Sequence, residues 1–71
     1  MATDICVRFG RRLQQIRRAK HINQIDLAVH TGVARTYISS IENGKQEICL
    51  RTIEILAQGL GVPVSYLFKG L

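Results

Sequence analysis

Hydrophobic residues recur along the chain at spacings of three and four, the pattern of one face of a helix. The first apolar stripe lies in a helix expected to reach about residue 20, and it consists of Ile5, Phe9, Leu13 and Ile16. Thr3 or Asp4 is expected to cap this helix. No run alternates β-branched and polar residues at a period of two, so the pattern predicts helices rather than strands.

Two shorter helices follow, separated by a glycine. Asn23 is a good N-cap for a helix over residues 24–31, and Gly32 is expected to end it. The next helix is predicted over about residues 34–43, with Gly44 after it. The two helices are expected to be joined by a turn of three or four residues that includes Gly32.

The last third of the chain predicts two more helices. One begins at Cys49 or Leu50 and reaches about Leu60, with an inner face formed by Ile53, Leu56, Ala57 and Leu60. Pro63 suits the first turn of a final short helix that holds Leu67 and Phe68. Five helices with short loops predict an all-α, compact five-helix bundle that forms one domain over residues 1–71.

Charge adds the first indication of a partner. The 71 residues carry ten Lys and Arg against five Asp and Glu, a net charge of +5, and six of the basic residues lie in the acid-free stretch 8–20. Such asymmetry favours an anionic partner, most often nucleic acid and sometimes a membrane surface. A solvated basic helix face is the alternative.

Other features of the composition limit the classes of protein. No apolar run is long enough to span a membrane and no signal-peptide pattern opens the chain, so we expect a cytoplasmic protein. Cys6 and Cys49 match no metal-ligand spacing and are expected to be buried, reduced and apolar in role. His21 and His30 also lack a ligand spacing. We find no catalytic constellation, metal site or cofactor motif and predict a protein that is not an enzyme.

The short glycine turn between two helices is typical of a helix-turn-helix, here about residues 24–43, whose second helix enters the DNA major groove. Ile38 and Ile41 would anchor that helix to the core. An arginine on the opposite side can donate two hydrogen bonds to guanine, and a threonine methyl can meet a thymine methyl. The residues expected on that side are Arg35, Thr36, Ser39 and Ser40.

The segment NQIDLAVHTGVARTYISSIENGK resembles the Cro/Xre helix-turn-helix family, and the likeness extends from FGRRLQQIRRAK to LAQGLGVPVSYLF. Within that family, RTYISSIENGKQEICLRTIEILA is most similar to the controller proteins of restriction–modification systems. Those are small dimeric transcription factors that bind operators beside their own promoters. Phage or plasmid repressors and antitoxin-like autoregulators share most of this pattern and remain alternatives.

The resemblance implies roles for individual residues. It implies base reading by Arg35, Thr36, Tyr37, Ser39 and Ser40. It implies contacts to the DNA backbone by Asn23, Gln24, Arg17, Asn43, Lys45 and Gln46. It also implies a structural ion pair that ties the first helix to the third, which we expect between Arg12 and Glu42.

Specific recognition by so small a domain requires two copies on a palindromic operator, with half-sites about 34–36 Å apart. We therefore predict a homodimer formed by the region of about residues 58–71. The expected interface residues are Val62, Val64, Tyr66, Leu67 and Phe68, which exceed what a short helix can bury alone.

Two questions stay open from the sequence. Repression requires only occlusion of a promoter, whereas activation also requires a contact with RNA polymerase.

Ile25 and Val29 stand where the family usually has polar residues, and we expect them to cover the edge of the core. The alternative is an apolar patch for a partner, which would make the chain a protein-interaction module. We expect no small-molecule ligand.

Overall fold

The backbone forms helices joined by short loops, in a computed structural model that describes residues 4–71. The helices are α1 (Ile5–Ala19), α2 (Gln24–Thr31), α3 (Arg35–Glu42), α4 (Leu50–Leu60) and α5 (Val64–Leu67). Residues 4–71 contain no strand. The all-α prediction is confirmed, and the observed helix bounds fall within one or two residues of the predicted ones.

Side-chain caps explain where α1 and α2 begin. The amide of Cys6 donates to Asp4 Oδ1 at 2.8 Å, so Asp4 is the cap of α1. The alternative cap, Thr3, lies outside the described residues. Asn23 Oδ1 accepts from the Asp26 amide at 2.7 Å and caps α2.

The apolar side chains of α1, α2, α3, α4 and α5 meet in one core. Its buried members are Phe9, Leu13, Ile16, Leu27, Ile38, Ile41, Ile53, Leu56, Ala57, Leu60 and Leu67. Ile5, predicted as the first member of the α1 stripe, is exposed instead. The reason is its position at the first residue of α1, one turn beyond the point where the core begins at Phe9.

A close approach sets the position of α3 on α1. Gly10 is buried in α1, and a Cβ there would clash with the carbonyl oxygen of Ile41 and lie 2.9 Å from that of Glu42. Glycine is thus required for the backbone of α1 to touch the end of α3.

The cysteines differ from the expectation of burial. Both are free, Cys6 is half-buried and Cys49 is exposed at the N-cap of α4. The Cys49 Sγ lies 3.1 Å from Thr52 Oγ1. This hydrogen bond is the main cause of a lowered pKa at the Cys49 thiol, whereas desolvation raises the pKa of Cys6. A cap position faces solvent, which explains why Cys49 is not in the core.

None of the helices in the described part of the chain is long and apolar enough to cross a membrane.

Candidate nucleic-acid interface

Helices α2 and α3 are each eight residues long and are joined by a three-residue turn. Gly32 begins the turn with φ of 75°, and its amide donates to the Ala28 carbonyl at 2.8 Å. The left-handed conformation suits glycine and reverses the chain without a clashing side chain. Leu27 of α2 and Ile38 of α3 are fully buried, so the two helices share the core. This arrangement is a helix-turn-helix.

The face of α3 opposite the core is polar. Arg35 and Thr36 are exposed in its first turn, and Ser39 and Ser40 are half-buried one turn later. Ile38 and Ile41 point the other way and are buried. The four polar side chains therefore share the accessible side of α3, as their spacing predicted, with the guanidinium at its leading end.

Tyr37 occupies the flank of α3. It is half-buried and packs against the core, and its hydroxyl donates to the Glu47 carbonyl at 3.4 Å. The ring is thus tied to the loop between α3 and α4. A base contact by Tyr37 stays a prediction.

The segment after α3 is held close to the end of that helix. The Lys45 amide donates to the Ser40 carbonyl at 3.0 Å, and Asn43 Nδ2 lies 3.5 Å from Ser39 Oγ. The side chains of Asn43, Lys45 and Gln46 are exposed. They are therefore placed beside the polar face of α3, and their contacts to the DNA backbone stay a prediction.

The buried ion pair joins α1 to α3, but its arginine is Arg17 rather than Arg12. Arg17 Nε and Nη2 donate to Glu42 at 2.7 and 2.9 Å, and Nη1 donates to the Ile22 carbonyl at 2.9 Å. Arg17 is only 7% exposed. The hydrogen bonds that Arg17 donates to Glu42 raise the pKa of Arg17, against the effect of burial.

The predicted pairing of Arg12 with Glu42 was therefore wrong. Arg17 follows Leu13 by four residues, which places it about 40° from Leu13 on the buried side of α1, whereas Arg12 lies about 100° away. Arg17 is held in the ion pair and is almost completely buried, and a phosphate contact by Arg17 stays a prediction. Arg12 belongs to a different contact, described below.

Gln24 is tied to the same carboxylate. Its Nε2 donates to Glu42 Oε1 at 3.1 Å from the first residue of α2. A primary amide has a second N–H and a carbonyl oxygen, so one donor stays available for a phosphate. Asn23 uses its side-chain oxygen as the α2 cap and retains only its amide N–H groups. Phosphate contacts by Gln24 and Asn23 stay predictions.

Arg12 contacts α5 instead of α3. Its Nε and Nη2 donate to the Tyr66 carbonyl at 3.1 and 2.9 Å, and its Cζ lies 4.5 Å from the centroid of the Tyr66 ring. The guanidinium thus covers one face of that ring. Sequence spacing gave no signal for this contact, since it joins residues 54 positions apart.

The predicted dimer residues do not form one surface. Leu67 is fully buried in the core, and Val62 is half-buried and packed against it, so both are structural. The residues on either side of Leu67 point about 100° to either side of it. Tyr66 accordingly lies on the flank that Arg12 covers. Phe68 lies on the other flank, where its ring contacts Phe9 at a centroid distance of 5.2 Å.

An exposed apolar surface does exist on the Phe68 flank. A groove of about 300 Å³ there is lined by Ile5, Phe9, Ile53 and Phe68 among others. Leu50, 81% exposed, shares a second depression with Val64 and the charged Arg51 and Glu54. We use the name α4–α5 apolar face for a set of four residues. It consists of Leu50 of α4, Val64 and Phe68 at α5, and the neighbouring Ile5 of α1. Ile5 and Leu50 were not among the predicted interface residues. The sequence feature that could have indicated them is an apolar stripe that continues to the first residue of the helix, as it does at Ile5 in α1 and Leu50 in α4.

Helix α2 carries a separate apolar patch. Ile25 is 55% exposed and Val29 is 78% exposed, so the expectation that they cover the edge of the core was wrong. Leu27 alone in α2 is buried, because α2 turns a narrow side toward the core.

Comparisons with known proteins agree that this chain is similar to helix-turn-helix proteins. The helix-turn-helix family (HTH_3) matches residues 13–67. Control protein C.MunI of Mycoplasma sp is 41% identical over 69 residues, 96% of this chain and 93% of that protein. Control protein C.BamHI of Bacillus amyloliquefaciens is 40% identical over 63 residues, 87% and 78% of the two chains.

Solved structures agree with this similarity. The restriction–modification controller C.AhdI of Aeromonas hydrophila matches with a TM-score of 0.87 at 36% identity, over 89% of this chain and 96% of that one. The controller C.Esp1396I, solved as a tetramer in complex with its natural 35-base-pair operator, matches with a TM-score of 0.86 at 28% identity, over 96% and 90%.

Proposed function

We propose the function of this chain from the family to which it belongs, the helix-turn-helix regulators, and from its homology to restriction–modification control proteins. It is a transcription regulator that binds double-stranded DNA, and we infer that it does so as a homodimer on a palindromic operator near its own promoter. A cytoplasmic location follows from this function. The family consists of regulators rather than enzymes.

One observation carries the proposal, namely the accessible polar face of α3 above a fully buried apolar face. Arg35 leads that face and is exposed, so its fork of donors is free to meet guanine O6 and N7. Thr36, Ser39 and Ser40 are short and allow the helix to approach base edges closely. These four residues, with Tyr37 at the flank, are the proposed base-reading set.

Contacts to the DNA backbone are proposed at both ends of the helix-turn-helix. Gln24 and Asn23 offer amide donors at the start of α2, where the helix dipole also favours a phosphate. Lys45, Gln46 and Asn43 offer side chains just after α3. Lys45 is the one cation of this set, since Arg17 is buried.

Dimerisation is proposed through the α4–α5 apolar face. Two copies present two α3 helices, so that a palindromic operator is read in both half-sites. The tetrameric operator complex of C.Esp1396I supports assembly of several copies on DNA. The concentration of dimer would then control transcription. Repression would require only occlusion of a promoter, whereas activation would require an added contact with RNA polymerase. Phage-type repression and antitoxin-like autoregulation use the same physics.

The test is selection of a binding site by the protein itself. Duplexes that bind are selected from a random-sequence library, and affinity is then measured by gel shift for the selected duplex and a scrambled one. We expect Arg35→Ala to reduce the preference for the selected duplex at least about ten-fold, because each dimer loses two bidentate base contacts.

Arg11→Ala is the matched control, because Arg11 is an exposed arginine of α1 away from α3. It should retain the preference. A wild-type protein that selects no common sequence and binds every duplex equally would contradict operator recognition. That result would favour a protein-interaction module, for which the exposed Ile25 and Val29 provide the observed surface.

A further inference from the structure

Helix α5 depends on contacts from outside itself. It has four residues, and its N-cap, Pro63, makes no side-chain capping bond. A helix of this length has almost no stability of its own. The contacts that hold it in place include Leu67 in the core, the ring of Phe68 against Phe9, and the guanidinium of Arg12 on Tyr66.

The Arg12 contact is the polar part of that anchorage. The carbonyl of Tyr66 belongs to the last turn of α5, where backbone carbonyls carry partial negative charge, and it also accepts from the Lys69 amide at 3.3 Å. Arg12 supplies two donors to this one oxygen and also stacks on the ring of the same residue. One planar cation thus fixes both the end of the helix and the side chain beside it.

We propose that Arg12 is a positioning residue for dimerisation. It holds α5 against α1 in the orientation that presents Val64 and Phe68 on the α4–α5 apolar face, without entering that face itself. Tyr66 and its arginine lie on one flank of Leu67, and Phe68 lies on the other. This inference rests on the proposed dimer and assigns to Arg12 a role in the affinity of that dimer.

The chemistry of the contact requires arginine. Only a guanidinium offers two parallel donors and a flat face for stacking, whereas an ammonium is a point charge that takes part in one of these interactions at a time. A lysine at position 12 would keep the charge of the protein and lose the geometry. Charge and geometry are therefore separable by experiment.

The experiment measures the dissociation constant of the dimer by sedimentation equilibrium for the wild type, Arg12→Ala, Arg12→Lys and Arg11→Ala. We expect Arg12→Ala to raise that constant about ten-fold and Arg12→Lys to raise it nearly as much. Arg11→Ala removes the same charge from the preceding residue of α1, and it should change the dissociation constant of the dimer less than about two-fold.

A purely structural role would act on the monomer, so two further measurements separate it from positioning. Urea unfolding at concentrations where the protein is monomeric should give an only slightly lower midpoint for Arg12→Ala than for Arg11→Ala, because the lost contact joins just the short α5 to α1. Binding of Arg12→Ala to a selected operator duplex should be weak near the wild-type dimer constant and should recover when the protein concentration is raised about ten-fold.

The outcomes distinguish this inference from the proposed function. A wild type that is monomeric at tens of micromolar contradicts the dimer itself. A dimeric wild type with equal dimer constants for Arg12→Ala and Arg11→Ala refutes the role of Arg12 alone. So does an Arg12→Ala monomer that unfolds at clearly lower urea, or an Arg12→Lys variant that dimerises as the wild type does.

Discussion

Glu42 is the residue at which three helices, α1, α2 and α3, meet. Its carboxylate accepts two hydrogen bonds from Arg17 of α1 and one from Gln24 of α2, while its own backbone ends α3. Its side chain is almost completely buried. Because both charges are desolvated, the pair fixes geometry more reliably than it adds net stability, and loss of one partner leaves the other uncompensated.

We therefore expect Glu42→Gln to lower the free energy of unfolding by about 3 kcal/mol, because the amide keeps the size of the side chain but leaves the Arg17 charge without a counter-ion. Urea unfolding at low and at high salt measures the loss, which should be nearly independent of salt since the pair is buried. Glu47→Gln, at an exposed acid five residues away, is the control and should cost less than about 0.5 kcal/mol. Equal losses in the two variants would show that Glu42 is not held as described.

At the scale of elements, the contact of α1 with α3 determines how far the polar face of α3 projects from the domain. The contact is backbone against backbone at Gly10, where no side chain separates α1 from the carbonyls of Ile41 and Glu42. Glycine in the interior of a helix lowers its intrinsic stability by about 1 kcal/mol relative to alanine. The close approach compensates for that cost by bringing the stripes of α1 and α3 together in the core.

Gly10→Ala should therefore destabilise the domain, although alanine is the better helix former. We expect a loss of about 2 kcal/mol and a melting temperature lower by about 10 °C, because the added methyl group pushes α3 away from α1. Thermal unfolding followed by circular dichroism measures it. Gln15→Ala, at an exposed position of α1, should leave the melting temperature almost unchanged. A Gly10→Ala protein as stable as the wild type would mean that the two helices are farther apart than described.

At the scale of the whole molecule, positive charge is distributed over more than one surface. Lys45 follows α3 beside the proposed base-reading residues, whereas Lys69 lies in a depression with Arg8, Arg11 and Arg12 next to α5. Only cations that neutralise phosphates release counter-ions from DNA. The salt dependence of binding thus reports which of these surfaces meets the duplex.

We expect Lys45→Ala to make the dependence of log affinity on log salt concentration shallower by about 1.8 per dimer, since each protomer then neutralises one phosphate fewer. Fluorescence anisotropy with a selected duplex at several salt concentrations measures this slope. The loss of affinity should be similar for selected and scrambled duplexes. Lys69→Ala is the matched control and should leave the slope unchanged. If Lys69→Ala lowered the slope and Lys45→Ala did not, the duplex would lie on the α5 side.

Local interactions within a few residues were sufficient to predict the elements. The caps at Asp4 and Asn23, the left-handed turn at Gly32 and the apolar stripes depend on neighbours in the chain, so the sequence by itself determined the five helices and the polar side of α3. The long, in-register motif of the helix-turn-helix also determined the family.

The tertiary structure decided which of two chemically similar residues makes a given contact. Arg12 and Arg17 are both arginines of α1, and only the direction from which α3 approaches makes Arg17 the partner of Glu42 and leaves Arg12 for α5. The apolar residues at the chain end divided in the same way, because the depth of the core buried Leu67 and left Phe68 at the surface. Such choices depend on contacts between residues distant in sequence, whose geometry exists only when the helices are packed.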